Sequence, residues 1–367
     1  LASSVQQVRL LTPILYKTNN IGWRLSSMDH FGGVVLGKDE AMPAGNSPGQ
    51  FAKGLVKGVR LLRLLHRHRV RAVVINGYMY PECWMALAYA RLRGVPAFLA
   101  ADSNALADAP RSGLRSSLKP LLVRWFVRAC HGVMPVGSLG EKYFERYGSK
   151  PGRTFVVTFE TDPSLCVTST AQDIVATRAS TGFAQGRKRV LCSGRFESYK
   201  RFSDAIDAFI AIAPQRPDWD LVMAGDGTQR AMLEARVPES LRSRVNWLGM
   251  ITDLRRAMQL YSDVHLLLHP SGHEPWGMVV QEAASSGIPM IASNVTGAAI
   301  DIIRHGENGF LFPVGDIKAI ERALLTVTDT GQYERFAAHA KDSLAHWHEK
   351  YESTRGFLAA MRSASVI

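Results

Sequence analysis

Strand-length apolar runs and helix-length amphipathic runs take turns along most of this sequence, and few architectures accept that rhythm. In the first half, 71–76 (RAVVIN) reads as a buried strand, 82–93 as a helix stopped by Gly94, and 95–101 (VPAFLAA) as the next strand. Helical spacing returns over 114–129, and 131–136 is strand-like. Ser138 is placed to cap a helix over 139–147, and 155–157 would close the series. The second half repeats the pattern with strands at 189–192, 221–224, 244–248, 264–268 and 289–292 and helices between, the first over 202–213. Such alternation builds α/β layers on a mostly parallel sheet, because parallel strands need a crossover of helix length. At 367 residues the chain is long for one domain, so two doubly wound, Rossmann-like domains facing a cleft are expected. The first is expected over 1–165 and the second over 188–340. The stretch 166–187, rich in Thr, Ser, Ala and Gly and without apolar periodicity, reads as linker.

Composition excludes several classes. With 46% apolar and 21% charged residues, the chain suits a globular fold rather than disorder. No uncharged apolar run reaches the ~18–20 residues that cross a bilayer. Residues 8–16 are short, are broken by Pro13 and lack signal-peptide architecture. The first residue is Leu1 rather than Met, which leads us to expect an incomplete start. Cys83, Cys130, Cys166 and Cys192 are too dispersed for a zinc knuckle or redox motif and suit a reduced, cytoplasmic setting.

The net charge of +12 is confined to residues 1–165, where 22 basic side chains meet 10 acidic ones; 166–367 hold 22 of each. The first domain is therefore expected to meet something anionic. Leu114, Leu118, Leu121, Leu122, Trp125, Phe126 and Ala129 recur at helical spacing with Arg115, Lys119, Arg124 and Arg128 between them. Residues 55–71 mix leucines with Lys57, Arg60, Arg63, Arg67, Arg69 and Arg71. The apolar stripes suit a core, and the basic backs suit an anionic membrane surface on the inner face. No nucleic-acid-binding module accompanies the charge, so nucleic acid is not an expected partner.

Doubly wound sheets bind ligands beyond the carboxyl ends of their strands. After the strand at 189–192 come Arg195 and Lys200, a guanidinium and an ammonium suited to phosphate, with Gly194 permitting a tight turn. Gly225-Asp226-Gly227 follows the next strand and suits either backbone approach to a ligand or a plain tight turn. In 269–289 (HPSGHEPWGMVVQEAASSGIP) a strand ends, a helix starts near 275–277, and Gly287-Ile288-Pro289 stops it. The amides of Gly277, Met278 and Val279 would then face an anion such as a diphosphate. Glu274, before the helix, and Glu282, on it, can accept hydrogen bonds from sugar hydroxyls. Taken singly, Glu274 suits a helix-start acid and Glu282 a surface glutamate.

Over roughly 190–316 the text SGRFESYKRF, LVMAGDGTQR, VNWLGMI, YSDVHLLLHPSGHEPWGMVVQEAASSGIPMIAS and HGENGFLFPVGD resembles, in order, the donor-binding half of the family-4 retaining glycosyltransferases, which have the GT-B fold. The resemblance implies that Arg195 and Lys200 bind the donor diphosphate, that Glu274 faces the donor sugar and that Glu282 holds the ribose. It also implies that the segment at Gly249 and Met250 lies beside the base, and that the last helix, 341–367, crosses back to the first domain. The first half matches less closely. The family's opening strand and Gly-rich loop have no counterpart here, and Asp102 stands where many relatives carry a histidine.

Asp102-Ser103-Asn104 and INGYMYPECWMALAYA resemble a subset of the family. Asp102 is a candidate for sugar or acceptor contact, and Asn76, Tyr78 and Ser103 are acceptor-side candidates. An Asx-type turn at Asp102 and a packing role for Tyr78 suit the same residues. The expected reaction is transfer of a sugar from a nucleotide diphosphate sugar, UDP or GDP, to a saccharide or lipid-linked hydroxyl, with retained configuration. No cofactor or metal is expected: no Asp-x-Asp metal motif is read, and cationic side chains would replace a divalent ion. A non-catalytic, membrane-associated nucleotide- or glycan-binding protein on the same fold is the competing reading; an epimerase or phosphorylase is the alternative among enzymes.

Overall fold

The computed structural model describes residues 12–14, 33–35, 48–106, 114–159 and 183–367. They belong to two compact units, Leu1–Thr158 with Tyr351–Ile367, and Phe159–Lys350. Most of the expected linker lies outside the described residues.

In the first unit, β1 (Thr12–Ile14) pairs in parallel with β2 (Gly33–Val35). A second parallel sheet runs in the order β3 (Val73–Asn76), β4 (Ala97–Ala101), β5 (Gly132–Pro135). Its helices are α1 (Pro48–Arg67), α2 (Pro81–Leu92), α3 (Leu114–Ala129) and α4 (Gly137–Arg146). Strand side chains alternate between faces, so Leu99 joins the core built with α1, α2 and α3 while Phe98 points the other way.

Four local expectations are corrected here. Ser138 does not cap α4: the helix starts one residue earlier, at Gly137, with Val136 at the N-cap. Residues 155–157 do not form a regular strand; Phe155 and Val157 donate singly to the carbonyls of Val133 and Pro135. In α3 the buried face is Val123, Phe126 and Val127, whereas Leu121, Leu122 and Trp125, grouped above with the core stripe, are exposed. The chain turns about 100° per residue, so 122 and 125 sit off the 123/126/127 face. Lys57, grouped with the basic back of its helix, is buried instead.

Among the described residues the second unit holds one six-stranded, all-parallel sheet in the order β11-β10-β9-β6-β7-β8. Its strands are β6 (Lys188–Ser193), β7 (Trp219–Ala224), β8 (Val245–Gly249), β9 (Leu266–His269), β10 (Met290–Ser293) and β11 (Gly309–Phe312). The helices are α5 (Phe202–Ile212), α6 (Arg230–Arg236), α7 (Leu254–Tyr261), α8 (Met278–Ser285), α9 (Gly297–Ile302), α10 (Ile317–Val327), α11 (Thr330–Lys341) and α12 (Ser343–Lys350). Phe202, Ile206 and Phe209 of α5 pack with Ile320 and Leu324 of α10 on Val190, Leu221 and Leu268 of the sheet.

From β6 the chain steps outward to β7 and β8, then returns to lay β9, β10 and β11 on the other side. The winding reverses between β6 and β9, which is where a doubly wound sheet opens a crevice at its carboxyl edge. Beyond α12 the chain enters the first unit as α13 (Ser353–Ser363), whose Phe357, Ala360 and Met361 cover Phe98 and Met134. Ser353 Oγ donates to the carbonyl of Thr158 (2.9 Å), and Arg153 donates to the carbonyl of Ser363 (2.9 Å), tying both ends of α13 to that unit.

Candidate functional site

The candidate residues of the second unit lie on the loops that leave the carboxyl edge of its sheet. After β6 the chain passes Gly194 and Arg195 and makes a single tight turn, Ser198–Lys200, before α5. Arg201 takes the left-handed conformation there (φ 53°), and its Nε donates to Asp204 (2.7 Å). On the other side of the winding reversal, β9 ends at His269 and its loop turns back across the strand end. The two loops are joined: the Gly272 amide donates to the Tyr199 carbonyl (2.8 Å). Ser293 Oγ donates to the Ser271 carbonyl (2.6 Å), which fixes the β9 loop to β10.

These constraints bring Lys200 and Glu274 into a direct ion pair, with their side chains 14% and 12% exposed. The same carboxylate oxygen of Glu274 lies 3.1 Å from Nε2 of His269, which is buried. Burial alone would push the Glu274 carboxyl up. The His269 hydrogen bond and the nearby positive charge overcome it and hold the group down at about 2. Burial pushes the His269 imidazole below its usual value, so at neutral pH Lys200 supplies the positive charge and His269 supplies an N–H.

Glu274 also abuts the start of α8. That helix begins at Met278 behind Gly277, whose φ of 94° favours glycine. A Cβ at Gly277 would fall 2.7 Å from Thr296 Cγ2 and 3.1 Å from Glu274 Cγ. The first bond of the turn runs from the Val280 amide to the Gly277 carbonyl, so the amides of Gly277, Met278 and Val279 precede the helical ladder. An ammonium, an ionised carboxylate and a helix N-terminus thus share one corner of the unit. Such a set can hold a phosphate through positive charge and amides, and a polyol through the carboxylate. The helix is shorter at its start than the sequence suggests: Pro275 and Trp276 precede it, and Trp276 is buried, donating to Gln281 (3.1 Å).

Other candidates stand apart from this contact. Glu282 is buried, not a surface glutamate, and accepts from the Tyr261 hydroxyl of α7 (2.7 Å). Burial pushes its carboxyl up, and the Tyr261 hydroxyl offsets part of that. Arg195 is exposed, donates to the Tyr199 hydroxyl (3.0 Å) and forms no ion pair among the described residues. Met250 follows the end of β8, two strands from β6, and is 47% exposed.

The Gly225-Asp226-Gly227 turn has a packing reason. A Cβ on Gly225 would lie 1.9 Å from the Gly194 carbonyl oxygen, and one on Gly227 2.7 Å from that of Phe196. These glycines let the β7 loop pass against the β6 loop. The expectation that the chain holds no Asp-x-Asp motif is corrected: it contains one such triplet, Asp218-Trp219-Asp220. It sits at the opposite end of β7 from the cluster, and Asp220 is held by two bonds from Arg187, both 2.7 Å.

In the first unit, Asn76 ends β3 and Asp102 follows β4, the strand beside it; both are exposed at the carboxyl edge of that sheet. Asn104 makes an Asx turn, its Oδ1 accepting from the Leu106 amide (2.8 Å). Ser103 lies between Asp102 and Asn104, half-buried. Tyr78 uses its hydroxyl on Tyr143 (2.7 Å), and its carbonyl accepts from the Trp84 indole (2.9 Å), so its polar groups serve the unit's interior. His269 and Tyr261 escaped the sequence reading. Each closes an apolar run, and only the fold shows which carboxylate it meets.

The chain is similar to known glycosyl-transferring proteins. It is 27% identical to N-acetyl-alpha-D-glucosaminyl L-malate synthase of Bacillus anthracis, over 50% of this chain and 47% of that protein. It is 31% identical to 2-deoxystreptamine N-acetyl-D-glucosaminyltransferase of Niallia circulans, over 42% of this chain and 40% of that one. The chain thus spans about half the length of the curated relatives it matches. Among solved structures, Anabaena HepE in complex with UDP superposes with a TM-score of 0.68 at 20% identity, covering 92% of this chain and 87% of that one. Two parallel-sheet α/β units with this likeness constitute the GT-B fold. Residues 173–343, which include Lys200, His269 and Glu274, match the family model described as Glycosyl transferases group 1.

Proposed function

We propose that this protein is a family-4 retaining glycosyltransferase that moves a sugar from a UDP- or GDP-sugar to a hydroxyl of a saccharide or lipid-linked acceptor, in the making of a cell-envelope glycan or glycolipid. The observation that carries the reading is the meeting of Lys200, ionised Glu274 and the α8 N-terminus at the winding reversal of the unit matched by the family model. In the reaction the bond from the anomeric carbon to the β-phosphate oxygen breaks, and a bond from the acceptor oxygen to the same face of that carbon forms. The acceptor proton leaves with the diphosphate. Lys200, Arg195 and the amides of Gly277, Met278 and Val279 stabilise the charge growing on the leaving group. Glu274 orients sugar hydroxyls and faces the positive ring as it develops. Glu282 takes the ribose and Met250 borders the base. Asp102 joins Glu274 at the reaction centre, contacting a sugar or acceptor hydroxyl; Asn76 and Ser103 bind on the acceptor side, and Tyr78 supports that edge through Tyr143.

Support comes also from HepE, solved with UDP and with UDP-glucose, and from the transferase and synthase names of the relatives. The cationic side chains do the work of a divalent ion, so no metal or cofactor is invoked. No helix among the described residues is long and apolar enough to cross a membrane. The location that goes with this proposal is the cytoplasm, peripheral on the inner membrane face, with the basic first unit toward anionic lipid. The test is a panel of nucleotide sugars read by release of nucleoside diphosphate. Release with one donor class supports the proposal. Nucleotide binding with no release from any donor, with or without acceptor, would leave a non-catalytic binding protein.

A further inference from the structure

His269 has no role in the account above, yet its placement is specific. It ends β9, in the strand beside the winding reversal, and is 1% exposed. One ring nitrogen, Nε2, meets Glu274 at 3.1 Å; the other, Nδ1, is buried and has no hydrogen-bond partner among the described residues. The charged groups that face the ring are Glu274 and Lys200. A proton on Nδ1 would be buried without an acceptor, whereas a proton on Nε2 has a carboxylate to meet. The ring therefore keeps a single proton, on Nε2, and donates it. Glu274 receives this bond and the Lys200 ion pair on one oxygen, Oε2.

We infer that His269 is a positioning residue for Glu274: its Nε2–H pins one carboxylate oxygen, so that the orientation of the other is set before a donor arrives. This rests on the proposed function, in which Glu274 faces the sugar. Lys200 cannot hold the carboxylate alone through the reaction, because the same ammonium is needed by the diphosphate. When the ammonium turns to phosphate, the His269 contact persists. Its rigidity comes from the strand: β9 is hydrogen-bonded on both sides, by β6 and β10, while Lys200 sits on a loop.

The full chain carrying His269→Leu, His269→Gln or no change is tested with the donor that gives release. His269→Leu is expected to lower kcat by about 10- to 100-fold, the scale for a misplaced reacting group. KM for the donor and the affinity for nucleoside diphosphate should stay within about twofold. Gln carries an amide N–H near the place of Nε2 and should recover most of the lost kcat. A residue that only fills the core would behave otherwise: Leu would serve as well as Gln, and any loss would follow thermal stability. Full turnover in His269→Leu, or equal losses in both variants, overturns the role while leaving the proposed function intact. Absence of release by the unaltered protein overturns the proposed function, and this role with it.

Discussion

A carboxylate with its pKa near 2 inside a protein is an ionised group by design of its neighbours, and Glu274 owes that state to Lys200 and His269. Glu274→Ala should abolish transfer but leave nucleotide affinity within a few-fold, measured by release assay and calorimetry; undiminished turnover contradicts its sugar-facing place. Arg195→Ala with Lys200→Ala should weaken nucleoside diphosphate binding by roughly 10-fold or more per cation, the worth of a charge-assisted hydrogen bond, and leave free nucleoside nearly unaffected. Equal losses for both ligands would take the cations off the phosphates. The pH response has a definite sign. A carboxyl depressed from 4.5 to about 2 contributes stability that is present above its unfolded value and disappears as pH falls through about 2. Removing the cation in Lys200→Met should raise the carboxyl toward its unfolded value of 4.5, so the variant is less stable than the unaltered protein near pH 7 and the difference narrows as pH falls below about 4.5. Urea unfolding between about pH 3 and 7 checks this; superimposable curves reject it. Lys200 and Glu274 were readable in the sequence because charged residues just past a strand stand out. His269 was hidden as the polar end of LLLH, and the burial of Glu282 depends on α7, which no local pattern brings to it.

At the scale of the elements, one crossing explains why two loops can share a site. The β7 turn passes so close to the β6 loop that Gly225, at φ 148°, has no room for a Cβ. Gly225→Ala therefore forces the β6 loop, with Arg195 and Lys200, to shift. A strained backbone of this kind costs on the order of 1–3 kcal/mol, and at about 2–4 °C per kcal/mol for a unit of this size the midpoint should drop by roughly 2–12 °C. Nucleotide affinity should fall with it, since the displaced loop carries the cations. An unchanged melting point would mean that the two loops are not in contact. Most strands were legible because a strand buried on both faces is a continuous apolar run, as in β6, β7 and β9. Boundaries were less so: β9 extends one residue further than its apolar run suggests, which is how His269 reaches the sheet edge. The 155–157 segment is alternating enough to read as a strand, but it pairs by single bonds along β5 rather than a full ladder.

The whole molecule divides its charge more sharply than its fold. Both units are parallel α/β sheets, yet the excess of +12 lies entirely within residues 1–165. Spacing alone assigned the apolar residues of α3 to one stripe; burial separates them into two. Val123, Phe126 and Val127 face the core, while Leu121, Leu122 and Trp125 are 64%, 53% and 56% exposed beside the exposed Arg124 and Arg128. Helix α1 repeats the combination, with Phe51, Leu55, Val56 and Val59 exposed along with Lys53, Arg60 and Arg63. Exposed leucine and tryptophan among arginines suit the boundary between headgroups and acyl chains better than open water. Basic residues near an anionic surface contribute about 1 kcal/mol each, so binding to vesicles should strengthen with the fraction of anionic lipid and fade as salt shortens the Debye length. Replacing Lys119, Arg124 and Arg128 with Gln should then weaken binding by roughly 100-fold, and Trp125→Ser should weaken what persists at high salt, because that part is apolar. Sedimentation with phosphatidylcholine vesicles of graded phosphatidylglycerol content reads both effects. Equal recovery on neutral vesicles, or none on acidic ones, would mean that the charge of the first unit serves an anionic acceptor rather than the membrane.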